Sequence, residues 1–278
     1  MKKLQPKTKE QRHEEHLRRL KALRPIDDNF MRVLFRDDRP LVQMVLRIIT
    51  GIADLVLIKH ETQYDLKRLG GSRSLCLDAL GVDSLGNLYN IEVEKSDKRA
   101  DPRRARYHSS SIDVENLAPG QDFDELPDTY VIFITEHDVF GEGKAIYPIE
   151  RINIATGKPF DDGEHIIYVN GAYEGDTELG WLMHDFRCSD ADEMHYELLA
   201  EKTRYYKEEP KGVSEMCKIF EDVVEETRVE TRAEEAYRFA LKMLERGEDP
   251  LSKIADLTDF TIEEVKEIAE ENNIPVKV

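Results

Sequence analysis

Three acidic residues stand in two short apolar segments that are separated by a turn. Asp78 lies in the otherwise apolar segment 75–80, and Glu92 and Glu94 alternate with apolar residues further along. Residues 83–87 are Asp, Ser, Leu, Gly and Asn, which favour a turn. The segments should therefore pair as antiparallel strands and bring Asp78 close to Glu92, while Glu92 and Glu94 share one face. This spacing predicts that three carboxylates converge on one patch.

Carboxylates at such a patch repel one another, by about 4 kcal/mol per pair at about 4 Å and an effective dielectric constant of about 20. A hard, oxygen-binding cation such as Mg²⁺ relieves this repulsion. The alternative is a half-buried strand whose glutamates face solvent, because acidic residues that alternate with apolar ones are typical of such strands. Asp78 favours the metal site, since a carboxylate in an apolar segment is rarely buried without a partner.

The segment that follows the glutamates is basic, although the chain is acidic. Residues 95–106 contain six Lys or Arg and two Asp, a local net charge of +4 in a chain of net charge −18. We expect a helix in which Arg103, Arg106 and Tyr107 share one face at spacings of three and four residues. Because guanidinium groups match phosphate geometry, this face could bind a nucleic-acid backbone. The alternative is a solvated helix face paired with local acids.

Taken together, these segments resemble the PD-(D/E)XK nuclease family transposases, also described as recombination-promoting nucleases. The resemblance rests on residues 73–94, on the sequence Ala-Asp-Pro-Arg-Arg-Ala-Arg-Tyr-His-Ser-Ser-Ser at 100–111, and on Tyr-Val-Ile-Phe-Ile-Thr at 130–135. It extends to the segment that begins Asp-Asn-Phe at 28–35 and to 160–171. The resemblance thus covers roughly residues 25–205.

The resemblance implies an α/β fold with a PD-(D/E)XK restriction-endonuclease-like core, a mixed sheet flanked by helices, to which this chain adds a helical C-terminal extension. It implies a metal-dependent endonuclease that hydrolyses phosphodiester bonds of DNA in transposition or recombination. The implied cofactor is Mg²⁺, with Mn²⁺ as the alternative, and the implied partner is DNA. Asp78 and Glu92 match the metal-ligating positions of the family. Arg103, Arg106 and Tyr107 are then the expected substrate-binding residues.

Glu94 departs from the family pattern, in which this position is Lys in the archetypal motif and commonly Gln in the subgroup. A glutamate cannot neutralise phosphate, so we assign Glu94 a catalytic role as a metal ligand or as the base that orients the attacking water. Lys95 should point to the opposite face of a regular strand, which makes a basic residue of the next helix the better source of positive charge. Two alternatives stay open: a catalytically silent nuclease-fold protein that acts as a DNA- or protein-binding regulatory module, and a metal-dependent hydrolase with another substrate.

Composition indicates a soluble globular protein, with 40% hydrophobic and 35% charged residues among 278. We expect no membrane association and a cytoplasmic location, because no apolar segment is long enough for a membrane span, no signal-peptide pattern is present, and three scattered cysteines do not suggest a disulfide framework. The net charge is +6 over residues 1–25 and −9 over 207–278. A DNA-facing surface can therefore be locally positive, while the acidic end weakens non-specific binding.

The pattern of elements divides the chain into three parts: a polar N-terminal arm at 1–24, a nuclease-like domain at 25–209 and an acidic helical region at 210–278. In the domain the expected helices are 41–49, 102–117, 177–186 and 190–206. The expected strands are a first one within 52–63, then 75–82, 88–94, 129–135, 145–154 and 165–170.

In the acidic helical region, the sequence predicts a long charged helix at 213–245 and two short helices at 251–256 and 261–270. The apolar seam of the long helix could form a homodimer contact or fold back on the domain; it consists of Val229, Ala233, Ala236, Ala240 and Met243. The short helices resemble a helix-turn-helix unit. Because the second of them is rich in Glu, a packing or protein-contact role is favoured over DNA reading.

His184, Cys188 and His195 form the remaining group of metal-ligating residue types. Their spacing is unlike a zinc ligand set. Because Trp181 and Phe186 lie close by, the sequence favours ordinary packing for this segment.

Overall fold

The computed structural model describes residues 9–66, 75–95, 100–247, 249–272 and 274–275. The chain packs as two units, Met1–Val213 and Ser214–Val278, and each is described by itself. The domain limits drawn from the sequence, after residues 24 and 209, stay a prediction.

The first unit is built on a mixed six-stranded sheet of order β1-β2-β3-β4-β8-β5. The strands are β1 (Leu57–Leu66), β2 (Leu75–Asp83), β3 (Leu88–Glu94), β4 (Thr129–Thr135), β5 (Ile146–Ile149) and β8 (Glu164–Asn170). Strands β1, β2 and β3 pair antiparallel, β3, β4 and β8 pair parallel, and β5 closes the far edge antiparallel to β8. Two further short strands, β6 (Ile152–Asn153) and β7 (Lys158–Pro159), form a separate ribbon.

Helices flank the sheet. They are α1 (Lys9–Ala22), α2 (Asp28–Phe35), α3 (Arg39–Thr50), α4 (Pro102–Asn116), α5 (Glu178–Arg187) and α6 (Glu197–Glu208). The side chains of β3 alternate between the two faces of the sheet, so Glu92 contacts α4 while Ile91 and Val93 line a small cavity beside α2. Helices α2 and α4 therefore cover opposite faces, and β3 is buried along its whole length.

The α3 helix shows how local sequence sets these elements. Its buried face repeats at helical spacing and consists of Leu41, Val42, Val45, Leu46 and Ile49. Asp38 caps the first turn by accepting from the Leu41 N–H, and Gly51 ends the helix in the left-handed conformation with φ 72°.

The predicted α/β fold is confirmed, including its order of one helix, three strands, one helix and one strand. The first predicted strand was placed too early, because residues 52–56 are tied to α3: Arg47 Nε donates to the Leu55 carbonyl and the Leu57 N–H donates to Gln43 Oε1. The predicted helix 190–206 is wrong over residues 190–196. Residues Ala191–Glu193 form a 3-10 turn, and α6 begins only at Glu197.

The second unit is a small helical bundle. Its helices are the long α7 (Pro210–Arg246), which begins in the first unit, and then α8 (Leu251–Thr258) and α9 (Ile262–Glu271). The predicted seam of α7 is accounted for in part: Ala240 and Met243 pack in one cluster with residues of α8 and α9, whereas the side chains of Val229 and Ala233 lie outside the described residues. Within the part of the chain that the structure describes, no helix is long and apolar enough to cross a membrane.

Candidate functional site

The two principal acids lie where β2 and β3 stop pairing. The ladder of main-chain hydrogen bonds ends at the pair Ala79 and Ile91. Beyond it the Asp78 N–H donates to Glu92 Oε1 at 3.2 Å, and the Val93 N–H donates to Asp78 Oδ2 at 3.2 Å. Each carboxylate thus satisfies a backbone donor of the opposite strand. The hairpin therefore brings Asp78 and Glu92 together, as its predicted register requires.

Burial decides between the two interpretations of the glutamates. Glu92 is 0% exposed and Glu94 is 4% exposed, although both alternate with apolar residues along β3. A solvent-facing edge would leave both side chains in water. The interpretation as a solvated strand face is therefore wrong, and the charges of both residues have to be compensated inside the protein.

Asp78 is the titratable group of this site. Its side chain is 14% exposed, and its Oδ1 accepts from Arg32 Nη2 at 3.0 Å. Burial in the first place, and the charge of Glu92 in the second, raise the pKa of Asp78 from 3.8 to about 7, although the Arg32 guanidinium opposes this shift. Near neutral pH Asp78 therefore exists both with and without its proton, and an additional cation favours the ionised form.

Arg104 supplies the internal positive charge for the glutamates. Its Nη2 lies 2.9 Å from Glu92 Oε2, and its Nη1 forms an ion pair with Glu94 Oε1. The planar guanidinium thus joins two carboxylates, a geometry that a lysine could not reproduce. Arg104 Nε also donates to His108 Nε2 at 3.1 Å, one helical turn further along α4. The other ring nitrogen of His108, Nδ1, lies 3.5 Å from Glu92 Oε1 and 3.0 Å from Asn90 Nδ2.

The expected convergence of three carboxylates needs correction. Asp78 and Glu92 are adjacent, but candidate ligand atoms of Asp78, Glu92 and Glu94 do not all lie within 4.8 Å of one another. Arg104 lies between the two glutamates and forms ion pairs with Glu92 Oε2 and with Glu94 Oε1. The site is a buried acid pair with a third acid held beside it by an arginine.

The acid pair fits a divalent cation. Asp78 and Glu92 offer the carboxylate oxygens that Mg²⁺ prefers, and each comes from a different strand of the hairpin. Burial and then the charge of Glu92 raise the pKa of Asp78, and a bound cation would oppose both effects by favouring the ionised carboxylate. A small cavity adjoins Asp78 on the side of α2, lined also by Asp28, Arg32 and Val93.

The predicted phosphate-binding residues lie elsewhere on α4. Arg103 and Arg106 are exposed, and Tyr107 is half-buried. Arg104, between them in sequence, is the arginine that contacts the acids. Lys98 and Arg99, counted in the basic segment, lie outside the described residues. Lys95 forms an ion pair with Asp27 rather than with the acids.

Three site residues were not selected from the sequence: Arg32, Arg104 and His108. The sequence does indicate that Arg104 and His108 share a face of the predicted helix, because they are four residues apart. That face lies one position along the helix from the predicted phosphate-binding face of Arg103, Arg106 and Tyr107. Arg32 carried none, since it reaches Asp78 across 46 residues of sequence.

Comparison with known families agrees with this architecture. Residues 40–245, well over half of the chain, match the family model described as PD-(D/E)XK nuclease family transposase. The match includes β2, β3 and α4, which position the acids and Arg104. No curated protein and no solved structure matches the chain.

Proposed function

The chain belongs to the PD-(D/E)XK nuclease family transposases, and on that premise we propose that it is a metal-dependent endonuclease that hydrolyses phosphodiester bonds of DNA in transposition or recombination. The single observation that carries the proposal is the pairing of the largely buried Asp78 with the fully buried Glu92 at the end of the β2–β3 ladder. Two neighbouring acids away from solvent destabilise a fold where their charges are not fully compensated, so their presence supports a cation-binding role.

In this proposal Asp78 and Glu92 hold Mg²⁺, for which Mn²⁺ can substitute. The ion would polarise the scissile phosphate and lower the pKa of a bound water. Asp78 has to lose its proton before it can act as a ligand, so with its pKa raised to about 7 a proton competes with the cation below neutral pH and cation binding is favoured above it. The hydrogen bonds from Arg32 and from the Val93 N–H fix the orientation of the Asp78 carboxylate beside Glu92.

Glu94 and Arg104 act together beside the pair. Glu94 would orient or deprotonate the attacking water, and Arg104 fixes its carboxylate until substrate enters. A phosphate that approaches Arg104 competes with Glu94 for the same guanidinium, so that substrate binding would release the base. The exposed Arg103 and Arg106, with Tyr107, would bind the DNA backbone further along α4.

A second candidate function is supported by a specific contact. Arg104 already compensates Glu92 and Glu94, which is the arrangement expected of a nuclease fold that has lost catalysis and acts as a DNA- or protein-binding regulatory module. Replacing Glu94 by Gln or by Lys distinguishes the two. A gain of nuclease activity that the natural chain lacks supports the binding module, whereas a loss of existing activity supports the enzyme.

The experiment that tests the proposal is plasmid nicking with Mg²⁺ and with Mn²⁺. We expect the natural chain to nick supercoiled DNA in either ion, and Asp78→Asn to lose activity by a factor of about 100 or more, because one metal ligand is removed. The matched control is Asp124→Asn, an exposed acid in a 3-10 turn, which should retain full activity. Equal activity of the natural chain and Asp78→Asn would refute the assignment.

A further inference from the structure

A second group of metal-ligating side chains lies in the first unit, between α5 and α6. His184 and Asp185 stand in the last turn of α5, and His195 precedes α6. Asp185 is fully buried, whereas His184 and His195 are 45% and 43% exposed. Their candidate ligand atoms all lie within 4.8 Å of one another, and they are the one such trio found in the described part of the chain.

Both imidazoles face the same carboxylate oxygen. His184 Nδ1 lies 3.1 Å and His195 Nδ1 lies 2.9 Å from Asp185 Oδ1. The two rings are perpendicular, with centroids 4.7 Å apart. Ligand atoms around tetrahedral Zn²⁺ stand about 3.3 Å apart, because its bonds to nitrogen and oxygen are about 2.0–2.1 Å long. The two nitrogen–oxygen distances are within a few tenths of an ångström of that spacing.

Several groups converge on this oxygen. Besides the two imidazole nitrogens, the His195 N–H lies 2.9 Å from Asp185 Oδ1 and is shared with Oδ2. The other oxygen, Oδ2, receives the His195 N–H and the Tyr196 N–H. One metal ion in place of the two imidazole protons would leave Oδ1 with two partners, the ion and one backbone N–H.

The charge of Asp185 gives the same indication. In the described residues its ion-pair contacts are with the two histidines and with no Lys or Arg. A fully buried carboxylate is costly where its charge is not fully compensated. A divalent ion bound by all three groups would compensate it.

We infer that His184, Asp185 and His195 bind one transition-metal ion of the Zn²⁺ class. Two imidazole nitrogens and one carboxylate oxygen select such ions over Mg²⁺, which prefers oxygen ligands. The half-exposed imidazoles leave the remaining coordination positions open to solvent. Cys188, grouped with the histidines on sequence grounds, is not one of the ligands, since its Sγ contacts the Asp190 carbonyl at 3.1 Å. The ion would join the end of α5 to the start of α6.

The test uses the full chain without an affinity tag and Co²⁺ as the probe, because Co²⁺ bound by nitrogen ligands at low coordination number absorbs visible light more strongly than the aqueous ion. We expect one strongly absorbing Co²⁺ site per chain, from which Zn²⁺ displaces the ion, and a loss of affinity at that site of about tenfold or more in His184→Gln and in His195→Gln. His137→Gln, an exposed histidine elsewhere, and Asp78→Asn, which alters the proposed nuclease site, should both keep the natural affinity.

A second readout is the unfolding temperature. Zn²⁺ should raise it in the natural chain and in Asp78→Asn, and not in a variant with both His184→Gln and His195→Gln. Because both imidazoles are about half exposed, that variant is expected to fold. Absence of Co²⁺ binding and of a Zn²⁺-dependent rise in the natural chain would overturn the inference, as would unchanged Co²⁺ affinity in both histidine variants. Loss of nicking in Asp78→Asn with retained Co²⁺ binding separates this site from the nuclease proposal.

Discussion

At the scale of single residues, the charge state of Asp78 links the stability of this protein to pH. Its pKa is raised from 3.8 to about 7, chiefly by burial and then by Glu92. The folded state therefore holds a proton that the unfolded chain releases above about pH 4. The stability that this proton confers is fully present below that pH and is lost as the pH rises through about 7.

Replacing Asp78 by Asn, which cannot ionise, should remove this pH dependence. Between pH 4.5 and 7, the free energy of unfolding of the natural chain should fall relative to Asp78→Asn by on the order of 1 kcal/mol per pH unit, measured by urea denaturation in EDTA. The exposed control Asp124→Asn should follow the natural chain at every pH. A difference between Asp78→Asn and the natural chain that stays constant with pH would mean that the pKa is not raised.

Arg104 should matter far more than its neighbour Arg103. Arg104→Gln leaves two buried glutamates without their shared cation, and we expect a loss of about 3 kcal/mol in the free energy of unfolding. Mg²⁺ should restore more stability in this variant than in the natural chain, because it replaces the missing charge. Arg103→Gln is the matched control on the same turn of α4 and should change stability by no more than about 0.5 kcal/mol. Equal losses in the two variants would argue against an internal counter-ion role.

The sequence predicted the acid pair but not its counter-ions, and the reason is physical. Asp78 and Glu92 meet because a hairpin has a fixed register, which two short segments and a turn determine locally. The choice of Arg104 over Arg103 depends on the rotation of α4 about its axis, which is set by packing on the sheet. The contact of Arg32 with Asp78 is a tertiary contact without any local signal.

At the scale of elements, the turn between β2 and β3 is what sets the register of the acids. Asp83 accepts hydrogen bonds from the Leu85 N–H at 2.8 Å and from the Asn87 N–H at 2.9 Å. Its other oxygen accepts from Asn87 Nδ2 at 3.0 Å and from Tyr89 Oη at 2.9 Å. Asp83 is 3% exposed and Tyr89 is fully buried, so the bond between their side chains is buried, while the other three bonds lie in the partly exposed turn.

Replacing Asp83 by Ala should destabilise the hairpin, since it leaves the Tyr89 hydroxyl and two backbone donors without their acceptor. We expect a loss of about 2–4 kcal/mol in the free energy of unfolding, measured by urea denaturation. Asp54→Ala, an exposed acid in the turn before β1, is the control and should stay within about 0.5 kcal/mol of the natural chain. If both variants proved equally stable, the turn would not be what holds the strands in register.

Strands and helices could be predicted correctly where the composition of the segment favours one type of element and no side chain competes for its backbone hydrogen bonds. The β4 strand was predicted with its observed ends because its residues are β-branched or aromatic throughout. The segment before α6 was predicted as helix because its composition is helical, but the Asp190 side chain accepts from the Asp192 N–H and Asp185 accepts from the N–H groups of His195 and Tyr196. These side chains compete for the backbone donors that a helix would use.

At the scale of the whole molecule, charge is distributed unevenly. The net charge is −18, yet residues 95–106 carry +4. The acidic α9 exposes four glutamates that its packing does not use: Glu263, Glu267, Glu270 and Glu271. Sequence alone reveals this distribution, because charge counts need no coordinates. The sequence could not show that the end of α7 packs with α8 and α9. An apolar seam can pack equally well on a helix of the same chain or on a second chain.

The dependence of DNA affinity on salt should distinguish the attraction of DNA by the arginines of α4 from its repulsion by the acidic residues of the chain. If Arg103 and Arg106 each contact a phosphate, replacing both by Gln should weaken non-specific binding to duplex DNA and reduce the slope of log affinity against log salt by up to about 2.

Replacing the four exposed glutamates of α9 by Gln removes four negative charges without removing a phosphate contact. This second variant should bind DNA several-fold more tightly at about 0.01 M salt, where the Debye length is about 30 Å, and like the natural chain at about 1 M, where it is about 3 Å. Fluorescence anisotropy across a salt series measures both effects, and an unchanged slope in the arginine variant would place the DNA-binding surface away from this face of α4.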